Sequence, residues 1–103
     1  MYLRQLEQFV TLAEILHFRR AAEKLNMAQP PLSVSIRKLE TRLGVELFDR
    51  KGRTVTLTKA GREALKEARK VLFHAREMAR RARAADPRPH AHGRETFADF
   101  WVL

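Results

Sequence analysis

The run from Ala28 to Gly44, AQPPLSVSIRKLETRLG, limits what this chain can fold into more than any other stretch. Leu32, Ile36, Leu39 and Leu43 stand at the i, i+4, i+7 and i+11 spacing that gathers apolar side chains on one stripe of a 3.6-residue helix. Pro30, Val34, Arg37 and Thr41 fall on the opposite side, with Lys38 next to Arg37. The first flank suits a core, so the second must meet something else. Prolines at 30 and 31 suit a first helical turn, where no backbone donor is missed, and Gly44 suits a C-terminal cap. The helix is therefore short, bounded at both ends and amphipathic.

Two further helices precede it. Leu6, Phe9, Val10, Ala13 and Leu16 recur at helical spacing over residues 3 to 16, with Gln5, Gln8 and Glu14 between them. A break near His17 leads to Phe18, and Ala21, Ala22 and Leu25 form a second apolar stripe of barely two turns. Asn26 tolerates the left-handed backbone that ends a helix. Ala21 and Ala22 are small enough for another helix to cross closely, and only Asn26, Met27 and Ala28 separate this helix from the next. Two helices joined so tightly predict a helix-turn-helix, whose second helix is the one offered to a major groove.

After Gly44, Val45, Leu47 and Phe48 add apolar weight, Asp49 to Thr54 (DRKGRT) carries hairpin turn chemistry, and Val55 to Thr58 alternates like a strand. The expectation is a small β-hairpin wing with strands near 46 to 50 and 54 to 57 and Lys51, Gly52 and Arg53 at its tip. Such a tip is either a solvated basic turn or a phosphate and minor-groove contact, because a narrow groove concentrates negative potential that arginine fits. Thr58 can cap the helix that follows. There Leu65, Ala68, Leu72, Ala75, Ala79 and Ala82 alternate three- and four-residue steps like a coiled-coil seam, flanked every seventh residue by Ala64, Val71, Met78 and Ala85. The seam predicts dimerisation; the alternative is that the helix packs back on its own domain. A helix over residues 59 to 85 is roughly 40 Å long at 1.5 Å per residue, more than so small a body can cover. Asp86 to Gly93 (DPRPHAHG) ends it, and the remaining tail closes on Phe97, Phe100, Trp101, Val102 and Leu103, which fit no motif.

Composition narrows the function classes. The chain has 103 residues and no cysteine, which allows one small domain without disulfides or thiolate metal sites. No uninterrupted apolar run marks a signal peptide or membrane span, and a cytoplasmic location is expected. The net charge of +9 divides as +1 over residues 1 to 28, +3 over 29 to 58, +6 over 59 to 85 and −1 over 86 to 103. A polyanion is the natural partner, nucleic acid ahead of anionic membrane, unless the arginine-rich helices are simply solvated. His90 and His92 form an H-x-H pair with no third metal ligand nearby, and His17 and His74 are isolated. Neither metal nor cofactor is expected. No phosphate loop or nucleophile-base set appears, and Glu7, Glu14, Glu23 and Glu40 read as solvated or ion-paired, so no enzyme is expected.

The run Phe18, Ala21-Ala22, Leu25, Gln29-Pro30, Leu32-Ser33, Ile36, Leu39-Glu40, Leu43-Gly44, Leu47-Phe48, Arg50, Leu57-Thr58 and Gly61 closely resembles the N-terminal DNA-binding domain of LysR-type transcriptional regulators. The resemblance covers residues 1 to about 85. It implies a mainly α fold: a winged helix-turn-helix of three helices plus a small hairpin over residues 1–58, then a dimerising linker helix over 59–85. Residues 86–103 form a tail of unassigned role. In that family Gln29, Pro30, Pro31 and Ser33 would approach base edges or phosphates. Arg53 would enter the minor groove, and phosphates would lie near Arg19, Arg20, Arg50 and Thr58.

Departures from the family pattern also carry information. Val34 stands mid-flank where the family often has a basic residue, and an apolar side chain there meets only a thymine methyl or a sugar. Arg19 and Ala28 stand where the family commonly caps a helix with a hydroxyl, so both helix starts are expected to lose a cap worth about 0.5–2 kcal/mol. The family continues into an effector-binding domain, whereas this chain ends in a tail resembling no part of it; without that domain no small-molecule effector is expected. The leading expectation is a sequence-specific, dimeric binder of double-stranded DNA serving transcriptional regulation. The alternatives are a protein that pairs through its linker helix with a longer relative and modulates it, and a helix lying on anionic membrane, which the narrow alanine seam disfavours.

Overall fold

The structure, a computed structural model, describes residues 2–86 and Arg88. In chain order it comprises α1 (Leu3–Ile15), α2 (Phe18–Lys24), α3 (Gln29–Leu43), β1 (Phe48–Asp49), β2 (Thr56–Leu57) and α4 (Lys59–Ala85). This is the mainly helical winged helix-turn-helix expected, with a two-stranded antiparallel sheet as the wing. The readings made for the tail, including His90 and His92, lie outside the described residues.

Each boundary has a local cause. α1 stops where Leu16 turns left-handed (φ 56°) and its N–H donates to the Leu12 carbonyl at 2.6 Å. Leu16, counted above with the apolar stripe, is thus a C-cap and is exposed. α2 begins at His17, whose Nδ1 accepts from Arg20 N at 3.2 Å. This corrects the cap expectation: the imidazole satisfies the free N–H that an Asp, Asn, Ser or Thr would normally take. Asn26 supplies the left-handed turn (φ 54°), and the Met27 N–H reaches back to the Ala22 carbonyl at 3.0 Å. α3 does lack a side-chain cap at Ala28, and its two first-turn prolines remove two of the donors that would need one. Gly44 closes α3 at φ 73°.

α1 is the hub, packing against α2, α3 and α4. Phe9, Leu12, Leu32, Ile36, Leu39, Leu47 and Phe48 are fully buried, and the rings of Phe9 and Phe48 meet edge to face at 5.6 Å. Leu43 departs from its stripe and stands 45% exposed. The wing strands are two residues each, shorter than the sequence suggests, with Phe48 paired to Leu57 and Asp49 to Thr56. Among these four, Phe48 is fully buried and Leu57 packs against the core, so little area rewards a longer ladder in a hairpin with no third strand.

α4 starts at Thr58, whose Oγ1 accepts from Gly61 N at 3.0 Å while donating to the Glu46 carbonyl at 2.6 Å. Gly61 lies so close to the Leu47 carbonyl that no Cβ fits there without backbone movement. Beyond it, the stripe expected to form one intersubunit seam divides. Leu65, Ala68 and Leu72 are buried in the chain's own core, and Ala75 packs against it. These four thus face the chain's own core. Ala79 is buried outside that cluster, beside Arg76, Glu77, Arg80 and Arg83, and Ala82 is exposed. Val71, Phe73 and Met78 stand 43%, 56% and 59% exposed on this helix, Val71 and Met78 at the flanking positions.

Candidate nucleic-acid interface

The flank of α3 turned from the core carries Gln29, Pro30, Pro31, Val34, Arg37 and Lys38, all exposed, with Ser33 half-buried. Val34 is 51% exposed, its apolar side chain standing clear of the core. Two buried glutamines of α1 fix this helix. Gln5 Nε2 donates to the Ser35 carbonyl at 3.2 Å, and Gln8 Oε1 accepts from the Ser35 hydroxyl. Gln8 Nε2 also approaches Met27 Sδ in the turn at 3.7 Å. Sequence spacing had placed both glutamines between the apolar positions of α1. They are instead buried polar residues that make specific bonds, and only an inspection of what opposes them reveals it.

The remaining candidates fall on neighbouring elements. Arg19 and Arg20 are exposed on α2, with Arg19 paired to Glu23 at 3.8 Å one turn on. Lys51, Gly52 and Arg53 are exposed at the wing tip, where Gly52 has φ 67° and Asp49 Oδ1 accepts from Lys51 N at 3.0 Å. Among the described residues, no acid forms an ion pair with Arg20, Arg37, Lys38, Lys51 or Arg53. Uncompensated cations on exposed surface produce the positive potential that attracts a polyanion.

Two candidates are already engaged inside the molecule. Arg50 Nη2 donates to Glu40 Oε1 at 2.9 Å, and its guanidinium lies 5.6 Å from the centre of the Phe18 ring. Thr58 spends its hydroxyl proton on Glu46 and its lone pair on Gly61. Glu40, expected as a solvated or ion-paired acid, is ion-paired to Arg50 and holds further partners. It is buried on α3, and its Oε2 also accepts from Leu47 N at 2.7 Å and Phe48 N at 3.2 Å. On α4, by contrast, the acids are compensated locally: Glu63 by Lys66 at 3.1 Å, Glu67 by Lys70 at 3.4 Å, and Glu77 by Arg80 at 3.0 Å. Hydrogen bonding to Arg80, with Arg81 assisting, holds the Glu77 carboxyl below the usual carboxylate range. Such exposed pairs contribute little to stability. Among the described residues there is no group of three or more potential metal-ligating side chains, and no helix is long and apolar enough to cross a membrane.

The arrangement has close relatives. The transcriptional regulator XapR of Escherichia coli K12 is 49% identical over 76 residues, covering 74% of this chain and 26% of XapR. ShiR of Corynebacterium glutamicum, also a transcriptional regulator, is 52% identical over 75 residues, covering 73% of this chain and 25% of ShiR. The chain thus spans about a quarter of the length of the relatives it matches. Among solved structures, the BenM DNA-binding domain in complex with catB site 1 DNA superposes with a TM-score of 0.82 at 38% identity, covering 87% of this chain and all of that one. Residues 3–62 match the family described as bacterial regulatory helix-turn-helix proteins of the lysR type, and the chain belongs to that family.

Proposed function

We propose that this chain binds double-stranded DNA sequence-specifically as a dimer and serves transcriptional regulation from the cytoplasm. Residues 1–58 act as the reading head and 59–85 as the linker helix. The observation that carries this reading is the exposed flank of α3, where Gln29, Pro30, Pro31, Val34, Arg37 and Lys38 are free of the core while Leu32, Ile36 and Leu39 are fully buried on the other side. The flank enters the major groove, Arg53 reaches the adjacent minor groove, and Arg19, Arg20 and Lys51 meet phosphates. Structural neighbours described as DNA complexes of the BenM and CbnR DNA-binding domains support this reading. Two copies pair through the exposed flank of α4 at Val71, Met78, Ala82 and Ala85, fixing the distance between two reading heads.

Replacing Arg53 tests the wing. Arg53→Ala weakens binding by about 1–3 kcal/mol if the side chain makes a specific groove contact, whereas unchanged affinity removes the wing from the mechanism. Salt titration tests the electrostatics. Neutralising about 6 to 10 phosphates loses roughly three to five decades of affinity between 50 and 200 mM salt, and a flat titration contradicts the reading.

A further inference from the structure

One carboxylate joins every element assigned above to the DNA face. Glu40 rises from α3; its Oε2 takes the N–H groups of Leu47 and Phe48 where the chain enters β1, and its Oε1 takes Arg50 at the end of β1. Arg50 in turn lies over Phe18, the first residue of α2. We propose that Glu40 and Arg50 are positioning residues that set the wing and the start of α2 against the recognition helix, Arg50 acting as an internal strut and not as a phosphate ligand. This rests on the DNA-binding reading above and assigns Arg50 a role different from the one its family position implies.

Strands of two residues cannot hold their own orientation, so the angle of the hairpin to α3 must be imposed from outside the ladder. Glu40 supplies that constraint with three charge-assisted bonds from one buried group, and a planar guanidinium stacked on a ring is the kind of cation that keeps a fixed direction. Exposure points the same way: 9% for the Glu40 side chain and 29% for that of Arg50. If Arg50 swung out to a phosphate, it would leave a buried carboxylate without its cation, an arrangement that folded proteins avoid. The ion pair therefore persists when DNA is bound, and readout by Arg53 depends on it without Glu40 touching DNA.

The test uses the full chain and two duplexes, one carrying a site selected by the parent protein and one scrambled. In Glu40→Gln the amide oxygen can still accept from Leu47 and Phe48, but the amide N–H groups oppose Arg50, donor against donor. The site-specific affinity is expected to fall on the order of tenfold, the effect of one charge-assisted hydrogen bond. Binding to the scrambled duplex and the dependence of affinity on salt stay as in the parent, and minor-groove protection beside the wing is lost. The double variant Glu40→Gln/Arg50→Met buries no unpaired charge and keeps an aliphatic stem at Phe18. It should give the same three results and carries the test if the single variant does not fold. A double variant whose salt slope drops by about 0.9, the value for one phosphate, with both duplexes weakened alike, makes Arg50 a phosphate ligand and overturns the proposal. Tighter binding of both duplexes by Glu40→Gln, or parental behaviour in both variants, overturns it as well. A parent protein that binds no duplex defeats the DNA-binding reading itself, which is a separate result.

Discussion

The two halves of α4 carry nearly the same alternation of small and apolar residues, yet they behave differently. In the first half Leu65, Ala68 and Leu72 disappear into the core formed with α1, and Gly61 brings the helix against the Leu47 carbonyl. In the second half Met78 is 59% exposed, Ala82 is exposed, and charged side chains dominate. Periodicity reports that a stripe is apolar, not which surface covers it. What separates the halves is side-chain size and reach: two leucines within reach of α1 bury real area, whereas alanines beyond its end bury little and gain only from a partner that comes close.

Substitutions along the helix probe the difference between its halves. The largest effect belongs at Gly61, where an added Cβ meets backbone that cannot rotate away; Gly61→Ala should cost on the order of 3 kcal/mol in thermal or denaturant unfolding, and a neutral result would mean that the close approach is not real. Leu72→Ala should follow at about 2–3 kcal/mol, with self-association in sedimentation left as in the parent if the side chain belongs to its own chain's core. Met78→Glu should leave head stability within about 0.5 kcal/mol of the parent and instead weaken self-association by roughly tenfold or more in sedimentation. An unfolding loss comparable to that of Leu72→Ala would erase the distinction between the halves. The smallest effect is at Glu77. Because the Arg80 hydrogen bond depresses its folded-state pKa, its contribution is present above the ordinary carboxylate range and fades as pH falls through the depressed value. Glu77→Gln should thus lower helix content slightly at neutral pH and not at all in strong acid, as circular dichroism would record.

Much of this architecture was legible in the sequence because its signals are local. Leu32, Ile36 and Leu39 announced a core flank, Asn26 and Gly44 announced helix ends, and Thr58 announced the start of α4, each through chemistry contained within a few residues. What escaped was nonlocal or unconventional. His17 caps α2 although histidine is not a usual cap. Gln5 and Gln8 fall between the apolar positions of α1 in the sequence, and it is Ser35, far along the chain, that gives them buried partners. Glu40 shares a one-letter pattern with any helix-surface acid; only the return of the chain at Leu47 and Phe48 gives it three donors. Leu43 obeyed the period of its stripe and still emerged, because the helix outlasts the core beneath it.

That last residue adds a detail to the contrast. Leu43 and Val71 line an apolar groove of about 180 Å³ together with Leu6, Leu39, Leu47 and Ala64, at the place where the buried half of α4 gives way to its exposed flank. A second copy running along Val71 and Met78 would pass beside this groove, so the stability of the head and the strength of pairing share a boundary there.

The central claim is that two exposed α3 flanks, held at a fixed separation by paired linker helices, read one duplex. Selection of bound DNA from a random pool tests it most directly. The expected outcome is enrichment of an interrupted inverted repeat whose half-sites are separated by about one helical turn or a multiple of it. A selected pool without dyad symmetry would contradict the paired arrangement, and no enrichment over the starting pool would contradict sequence-specific reading altogether.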